Sequence, residues 1–202
     1  GAILEGGAVD GNGRGTVITT ESSLLNAGRN PRHHRSAMEA VVRKFFGVDT
    51  VVWLPGGGIP GDDTDGHVDQ LARFTDEQTV VVAAACEPDA PEAVDLRANY
   101  SEVAEARNNR GVGLRPVELR MPSPKFQQGR RVPASYCNFY IVNDGVIVPL
   151  FNDSADDEAL QVLQSAFPGR LIVGIDATDL VWGLGAFHCM TQQQPTVKYD
   201  GR

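Results

Sequence analysis

One order of predicted elements (strand, strand, helix, strand) recurs three times along this chain of 202 residues. No other feature constrains the fold as strongly. The clearest copy opens with a strand-like segment, 135–142, and the tight-turn sequence Asn143-Asp144-Gly145, whose residues tolerate positive φ. Its remaining elements are a strand over 146–150, a helix over 156–167 that Gly169 ends, and a strand over 171–175.

Two earlier stretches predict the same order. The first contains strands over 2–4 and 16–19, a helix over 36–46 and a strand over 51–54. The second contains strands over 68–74 and 79–85, a helix over 91–110 and a strand over 114–119. The predicted repeats therefore cover about residues 1–60, 61–122 and 132–182, and residues 183–202 remain as a cysteine-containing loop and a last strand.

Units of this kind cannot bury both faces of their sheets alone, and repeated radially they form a propeller-like fan around a central channel. A fan of three units is open, so we expect further units to close it. The chain also begins at Gly1, without Met, and enters a strand-like segment at once. We therefore expect that upstream sequence is missing. An ordinary α/β sandwich is the alternative fold.

Composition narrows the classes of function. The net charge is −8, and no basic patch of the kind that nucleic acid requires is evident. No run of about 18 apolar residues predicts a membrane span. The three cysteines are widely spaced and lack the spacing of a zinc site or a disulfide framework. We expect a cytoplasmic protein that binds neither nucleic acid nor membrane, with an acidic surface compatible with a small cationic ligand.

Candidate chemical groups cluster at the strand edges of successive units. Glu5 ends the first strand of the first unit, and His67 and Asp69 open the first strand of the second. Cys189 follows the loop Gly183-Leu184-Gly185-Ala186. Because equivalent positions of a radial fan converge on its axis, these sequence-distant groups can form one pocket.

The residue types at these positions suit nucleophilic and acid–base chemistry. Glycine lets the backbone bring a thiol such as Cys189 close to a substrate. His67 and Asp69, two apart on a predicted strand, share a face, and a carboxylate can orient a histidine and keep it protonated. His188 would point away from Cys189 in an extended segment, so His67 is the preferred acid–base group.

Each candidate also has a purely structural interpretation. Cys189 is alternatively an inert buried cysteine, and His67 with Asp69 a surface polar pair. The acidic run containing Asp63 fits a solvated turn or a pocket rim better than a calcium loop. Cys86 and Cys137, within apolar strands, are expected in the core.

Five motifs occur in a recognisable order. They are Leu4-Glu5-Gly6-Gly7, Leu24-Leu25-Asn26 with Arg29-Asn30-Pro31, residues 61–69, Ala134-Ser135-Tyr136 with Asn138-Phe139-Tyr140, and residues 188–195. Together they resemble the agmatine deiminases, which are grouped with bacterial-type peptidylarginine deiminases in the guanidino-group-modifying superfamily. The resemblance implies the pentein fold, an α/β propeller of five ββαβ units, of which about three lie here.

The resemblance also implies roles for individual residues. Cys189 resembles the family nucleophile, His67 its acid–base, Asp69 a guanidinium-binding carboxylate, and Glu5 the acidic partner near the histidine and substrate. We add Asp63 and Gly185 as expected substrate-binding positions. A second guanidinium-binding Asp, in an Arg-Asp-x-Gly-Pro-like motif, has no counterpart in these residues.

The cysteine loop departs from the family pattern. Leu184 and Ala186 stand within a run that is commonly Gly-Gly-Gly-Asn-like in the family. This difference bears on the shape of the pocket and hence on the choice of agmatine as substrate.

The implied activity is hydrolysis of agmatine to N-carbamoylputrescine and ammonia through a covalent thiouronium on cysteine, as in putrescine and polyamine biosynthesis. It needs no metal or organic cofactor. Three alternatives stay open: a deiminase or amidinotransferase acting on free or peptidyl arginine, a thiol hydrolase of peptides, and a chain that binds cations or self-associates into a homo-oligomer without turnover.

Overall fold

Three small sheets with one shared pattern form the framework of the computed structural model, which describes residues 1–194. In the first sheet β1 (Val9–Gly11) pairs antiparallel with β2 (Thr16–Thr20), and β2 pairs parallel with β3 (Thr50–Leu54). Helices α1 (Glu21–Leu24) and α2 (Arg35–Phe46) lie between β2 and β3. They supply the crossover that a parallel pair requires.

The second and third sheets repeat this arrangement. The second consists of β4 (Ala72–Phe74), β5 (Thr79–Ala84), α3 (Ala93–Glu105) and β6 (Arg115–Arg120). A hairpin of β7 (Lys125–Gln127) and β8 (Arg130–Val132) follows it. The third consists of β9 (Tyr140–Ile141), β10 (Gly145–Leu150), α4 (Asp156–Ala166) and β11 (Leu171–Asp176).

Local signals explain the bounds of α2. The His34 side chain accepts a hydrogen bond from the Ala37 backbone N–H at 3.3 Å and so caps the first turn. Met38 and Val42 are fully buried one turn apart on the inner face. Gly47 ends the helix with a left-handed backbone, φ 64°.

Two shared cores join neighbouring sheets. One packs apolar side chains of the second sheet, such as Val81, against those of the third, such as Val148. The other joins Ile18 and Leu54 of the first sheet to Val80 of the second. Because each core spans two sheets, the first strands β1 and β4 lie in contact, which brings the segments that precede them together.

The first strand of each sheet follows a 3₁₀ turn, and in the second and third sheets it is shorter than predicted. The three turns are Gly6–Ala8, Val68–Gln70 and Tyr136–Asn138. The predicted strand over 2–4 is therefore wrong, and those over 68–74 and 135–142 begin with a turn. Backbone hydrogen bonds within the turns, such as Leu71 N–H to Val68 O at 2.9 Å, replace ladder bonds there.

Other predictions at this level fare differently. The helix predicted over 91–110 is confined to Ala93–Glu105, and the β7–β8 hairpin was not predicted. The division into repeats at about 1–60, 61–122 and 132–182 stays a prediction. The last strand predicted within 183–202 lies partly outside the described residues. No helix within residues 1–194 has the length and apolar character to cross a membrane.

Candidate active site

The first two 3₁₀ turns, the segments that precede them and one loop line a cavity of about 1190 Å³. The first turn contacts the second, and the second contacts the third. The cysteine loop, residues 183–191, lies against them. Glu5, His67, Asp69 and Cys189 all line this cavity, although the first and last are 184 positions apart in the chain.

Glu5 connects a histidine and an arginine. Its Oε2 atom lies 2.7 Å from His67 Nε2 and 2.6 Å from Arg29 Nε. Partial burial alone would raise the pKa of Glu5, but hydrogen bonds from His67 and Arg29 outweigh it, so the pKa falls below its ordinary value. His67 itself is buried. The Glu5 carboxylate therefore fixes the orientation of the imidazole.

Asp69 is the most deeply buried acidic group of the cavity, 1% exposed. Its Oδ2 accepts a hydrogen bond from His188 Nδ1 at 2.8 Å. Burial would raise the pKa of Asp69, but the hydrogen bond and charge of His188, with the charge of buried Arg73, lower it overall. Its Oδ1 is buried and accepts no hydrogen bond from the residues that the structure describes. An anionic oxygen thus remains for a cationic partner.

Cys189 stands at the wall of the cavity with its sulfur 3.4 Å from Asp69 Oδ2. Burial of the thiol and the neighbouring Asp69 charge raise its pKa to about 12, against the opposing effect of a hydrogen bond from Asn138. A cation that offsets the Asp69 charge would favour the thiolate, which is the reactive form of the group.

Two glycines make this packing possible. A Cβ atom on Gly7 would lie 2.7 Å from His67 Nδ1 and 2.8 Å from Asp69 Oδ2. A Cβ atom on Gly185 would lie 2.6 Å from Cys189 Sγ. Any larger residue would displace the acid–base group or the thiol, so the chain needs glycine at both positions.

The structure brings together the four principal residues of the sequence prediction, but not in the predicted local structures. Glu5 precedes the first strand instead of ending it, and His67 and Asp69 lie on a 3₁₀ turn instead of a strand. Asp63 is exposed at the cavity rim, whereas Gly185 is buried behind Cys189. The catalytic and binding roles of these residues stay predictions.

One prediction about the site is wrong: His188 does not point away. Residues 187–190 form a turn in which Met190 N–H donates to Ala186 O at 3.3 Å. In such a helical turn adjacent side chains are separated by about 100°, not by the 180° of a strand. His188 therefore reaches Asp69 from the same loop as Cys189.

Sequence reasoning gave no role to three further residues: Asp10 and Arg73, which line the cavity, and Asn138, which occurs in one of the five motifs. Arg73, 1% exposed, donates to Asp10 Oδ1 at 2.7 Å and to the carbonyl oxygens of Cys137 and Phe139. The only signal for Arg73 was a charge within the apolar segment Ala72–Phe74. Within residues 1–194 no group of three or more His, Cys, Asp or Glu side chains is arranged to hold a metal ion.

This topology and cavity define an α/β protein of the pentein fold, with about three of its five ββαβ units present, as the sequence predicted. An amidinotransferase structure from Microseira wollei shares the fold at 14% identity and a TM-score of 0.53, over 87% of this chain and 41% of that one. The chain belongs to the Porphyromonas-type peptidyl-arginine deiminase family, whose model matches residues 1–195. The family predicted from the motifs is thus confirmed.

Two relatives show the extent of the similarity. The agmatine deiminase of Pseudomonas putida is 38% identical over 96% of this chain and 58% of its own length. A solved agmatine deiminase of Enterococcus faecalis is 34% identical with a TM-score of 0.89, over 96% of this chain and 57% of that one. The chain thus spans somewhat more than half the length of these relatives.

Proposed function

We propose that the protein hydrolyses a C–N bond of a cationic guanidine, with agmatine as the substrate and N-carbamoylputrescine and ammonia as the products. The observation that carries the proposal is the buried Asp69 carboxylate, which keeps one oxygen without a hydrogen bond and lies 3.4 Å from the Cys189 sulfur. A guanidinium remains protonated and offers planar N–H donors that match a carboxylate. A guanidinium held by this carboxylate would have its carbon close to the Cys189 sulfur, which supports the proposal.

Substrate binding also activates the thiol. Burial and the neighbouring Asp69 charge raise the pKa of Cys189 to about 12. A bound cation offsets the Asp69 charge and itself attracts the thiolate, so the pKa of Cys189 falls when the guanidinium arrives. Binding of the substrate therefore itself produces the reactive thiolate.

The reaction then follows in two halves. The Cys189 thiolate attacks the central guanidinium carbon, a C–S bond forms, and the π electrons of the C–N bond move to nitrogen. Protonated His67 gives its proton to the departing amine, the C–N bond breaks, and ammonia leaves a thiouronium on the sulfur.

Water completes the cycle. His67 takes a proton from a water molecule as its oxygen attacks the thiouronium carbon, and cleavage of the C–S bond releases the ureido product and the thiolate. Glu5, 2.7 Å from Nε2 of His67, orients the ring, while Nδ1 borders Gly7 together with Asp69 Oδ2.

The choice of agmatine is supported by the names of the relatives and by charge at the rim. Agmatine carries an ammonium at the end opposite to its guanidinium. Asp63 is exposed at the rim of the cavity that contains Asp69, so a dication can meet an acidic group at each end. Arginine would bring an additional carboxylate towards this acidic rim, which disfavours it.

The test is an assay of ureido-product and ammonia release with agmatine, arginine, peptidyl arginine, and arginine plus an amine acceptor. We expect product from agmatine at the highest kcat/KM and none with Cys189→Ser. Release of citrulline from arginine as the better substrate, or transfer to an acceptor, would replace agmatine by the second candidate. Binding of agmatine without any product would contradict hydrolysis by this chain.

The proposal extends to cellular context. Formation of N-carbamoylputrescine belongs to putrescine and polyamine biosynthesis. A thiol nucleophile and two further free cysteines, Cys86 and Cys137, favour the reducing cytoplasm. The net charge of −8 favours small cations over nucleic acid as ligands. Self-association into a homo-oligomer is consistent with exposed apolar side chains such as Leu171 and Phe45.

A further inference from the structure

Asn138 contacts the proposed nucleophile at the sulfur and along its backbone. Its Nδ2 atom lies 3.2 Å from Cys189 Sγ. Its Oδ1 accepts from the backbone N–H of Ala186 at 2.9 Å and of Cys189 at 3.3 Å, and its own carbonyl oxygen accepts from His188 N–H at 3.1 Å. One buried residue therefore contacts three residues of the cysteine loop, Ala186, His188 and Cys189.

These contacts determine which way the amide faces. Two backbone N–H groups point at one side-chain atom of Asn138, and only the oxygen can accept from both. The nitrogen is then the atom directed at Cys189 Sγ. A donor fixed in this way favours a sulfur anion over a neutral thiol.

The position of Asn138 is itself fixed from beneath. Buried Arg73 donates to the carbonyl oxygens of Cys137 and Phe139, on either side of Asn138, at 3.1 and 3.0 Å. Asp10 holds the guanidinium in place at 2.7 Å. The amide therefore needs no reorganisation when charge develops on the sulfur, which is the condition for effective electrostatic stabilisation.

The last residue of the 3₁₀ turn contacts the cysteine loop in two of the repeated units. Asn138 ends the 3₁₀ turn of the third sheet, and Gln70 ends the corresponding turn of the second. Gln70, 2% exposed, donates from Nε2 to the carbonyl oxygen of Leu184 at 3.3 Å. The last turn residue of two units thus holds the same loop, but only Asn138 reaches the sulfur.

We propose that Asn138 is a further catalytic residue, whose amide nitrogen stabilises the Cys189 thiolate and whose amide oxygen keeps the cysteine loop in place. The proposal rests on Cys189 as the nucleophile of the proposed function. It is tested on the thiol itself, so that a failed guanidine assay leaves this test intact.

The experiment measures the rate at which iodoacetamide alkylates Cys189 between pH 7 and 9, by peptide mass mapping, with Cys86 in the same sample as internal reference. Asn138→Asp keeps an oxygen for the two backbone donors, which also favour its ionised form, but it replaces the donor to sulfur by an anion. Asn138→Ala removes both functions. Asn99→Asp is the matched control. Asn99 is also a buried amide, and its side chain accepts a hydrogen bond from the Gly56 N–H and donates one to the Gly56 carbonyl oxygen.

We expect the alanine variant to raise the pKa of Cys189 by about one to two units, as for loss of a hydrogen bond to a charged group. The alkylation rate at fixed pH then falls about 3- to 10-fold, because the more basic thiolate is also the better nucleophile. The aspartate variant should be at least as slow, since its charge adds to the loss. Asn99→Asp should lower thermal stability and leave the Cys189 rate unchanged.

The comparison separates the donor from a merely structural role. If Asn138 only anchored the loop, Asn138→Ala and Asn138→Ser, which both lose the amide oxygen, would alkylate Cys189 at the same rate. That result, or faster alkylation in both variants relative to Cys86, would overturn the proposal. Should the aspartate variant fail to fold, Asn138→Ser, which keeps a hydroxyl donor, must alkylate faster than Asn138→Ala.

Discussion

Replacing Asp69 by Asn should weaken the binding of a cationic guanidine and, at the same time, make the Cys189 thiol easier to ionise. The carboxylate is buried, and one of its oxygens lies 3.4 Å from the Cys189 sulfur while the other remains without a hydrogen bond. The substitution keeps the shape of the side chain and removes its charge. It therefore weakens the hold on a cationic guanidine and at the same time eases ionisation of the thiol.

Both effects have magnitudes that follow from the geometry. Loss of a charge-assisted hydrogen bond of roughly 1.5–3 kcal/mol weakens guanidine binding about 10- to 150-fold. At the observed 3.4 Å, removal of the anion lowers the pKa of Cys189 by about 1 unit in a water-like dielectric and about 3.5 units at an effective dielectric of 20. Alkylation by neutral iodoacetamide then becomes about 3- to 60-fold faster, since part of the gain in thiolate is offset by lower nucleophilicity.

The assay is alkylation at pH 7.5 with two reagents, neutral iodoacetamide and a cationic haloacetamidine, followed by mass mapping. The ratio of the two rates should shift strongly towards iodoacetamide in Asp69→Asn. Asp153→Asn is the control, because the Asp153 carboxylate is paired with Lys125 and does not line the cavity. Equal changes with both reagents would refute the reasoning, because they would show that only the accessibility of the thiol had changed.

Three further outcomes are expected. A haloacetamidine should modify Cys189 before the other two cysteines, and preferential labelling of either of those, by peptide mapping, would reject the assignment. Asp10→Ala should lower the free energy of unfolding in urea by about 3–5 kcal/mol, because it leaves the buried Arg73 guanidinium without its ion pair. An unchanged unfolding midpoint would show that this ion pair does not stabilise the fold. Gly185→Ala should lower kcat on the order of 100-fold at unchanged circular dichroism, because its Cβ would overlap Cys189 and shift the nucleophile; full activity would contradict the packing.

The repeating units were predictable because their signals are local. Alternating apolar segments, a turn at Asn143-Asp144-Gly145 and glycine at helix ends each act within a few residues of the chain. The structure retains these features, with Gly47 in the left-handed region at φ 64°. The starts of the first strands were not predictable, since a 3₁₀ turn such as Val68–Gln70 is stabilised by contacts with the neighbouring unit and has no strong sequence signal of its own.

The site was predictable as a set of residues but not as a geometry. Glu5, His67, Asp69 and Cys189 meet because equivalent positions of the units converge, and the motifs mark each of them. The orientation of His188 was mispredicted because the extended segment assumed for it is a hydrogen-bonded turn.

The roles of the residues that support the site could not be predicted from the sequence, for a related reason. Asn138 lies in an apolar segment where its side chain partner, the cysteine loop, is about 50 positions away in the chain. Arg73 and Asp10 are 63 residues apart, and a single buried charge does not reveal its partner. Long-range polar pairs of this kind emerge only once the units are docked.

The closeness of the Asp69 carboxylate to the Cys189 sulfur also has a protective consequence. Peroxides and other electrophiles react with thiolates, and a cysteine at a pKa of about 12 presents them with almost none. A carboxylate at 3.4 Å disfavours the thiolate, so the same group that can hold a cation also slows oxidation of the sulfur.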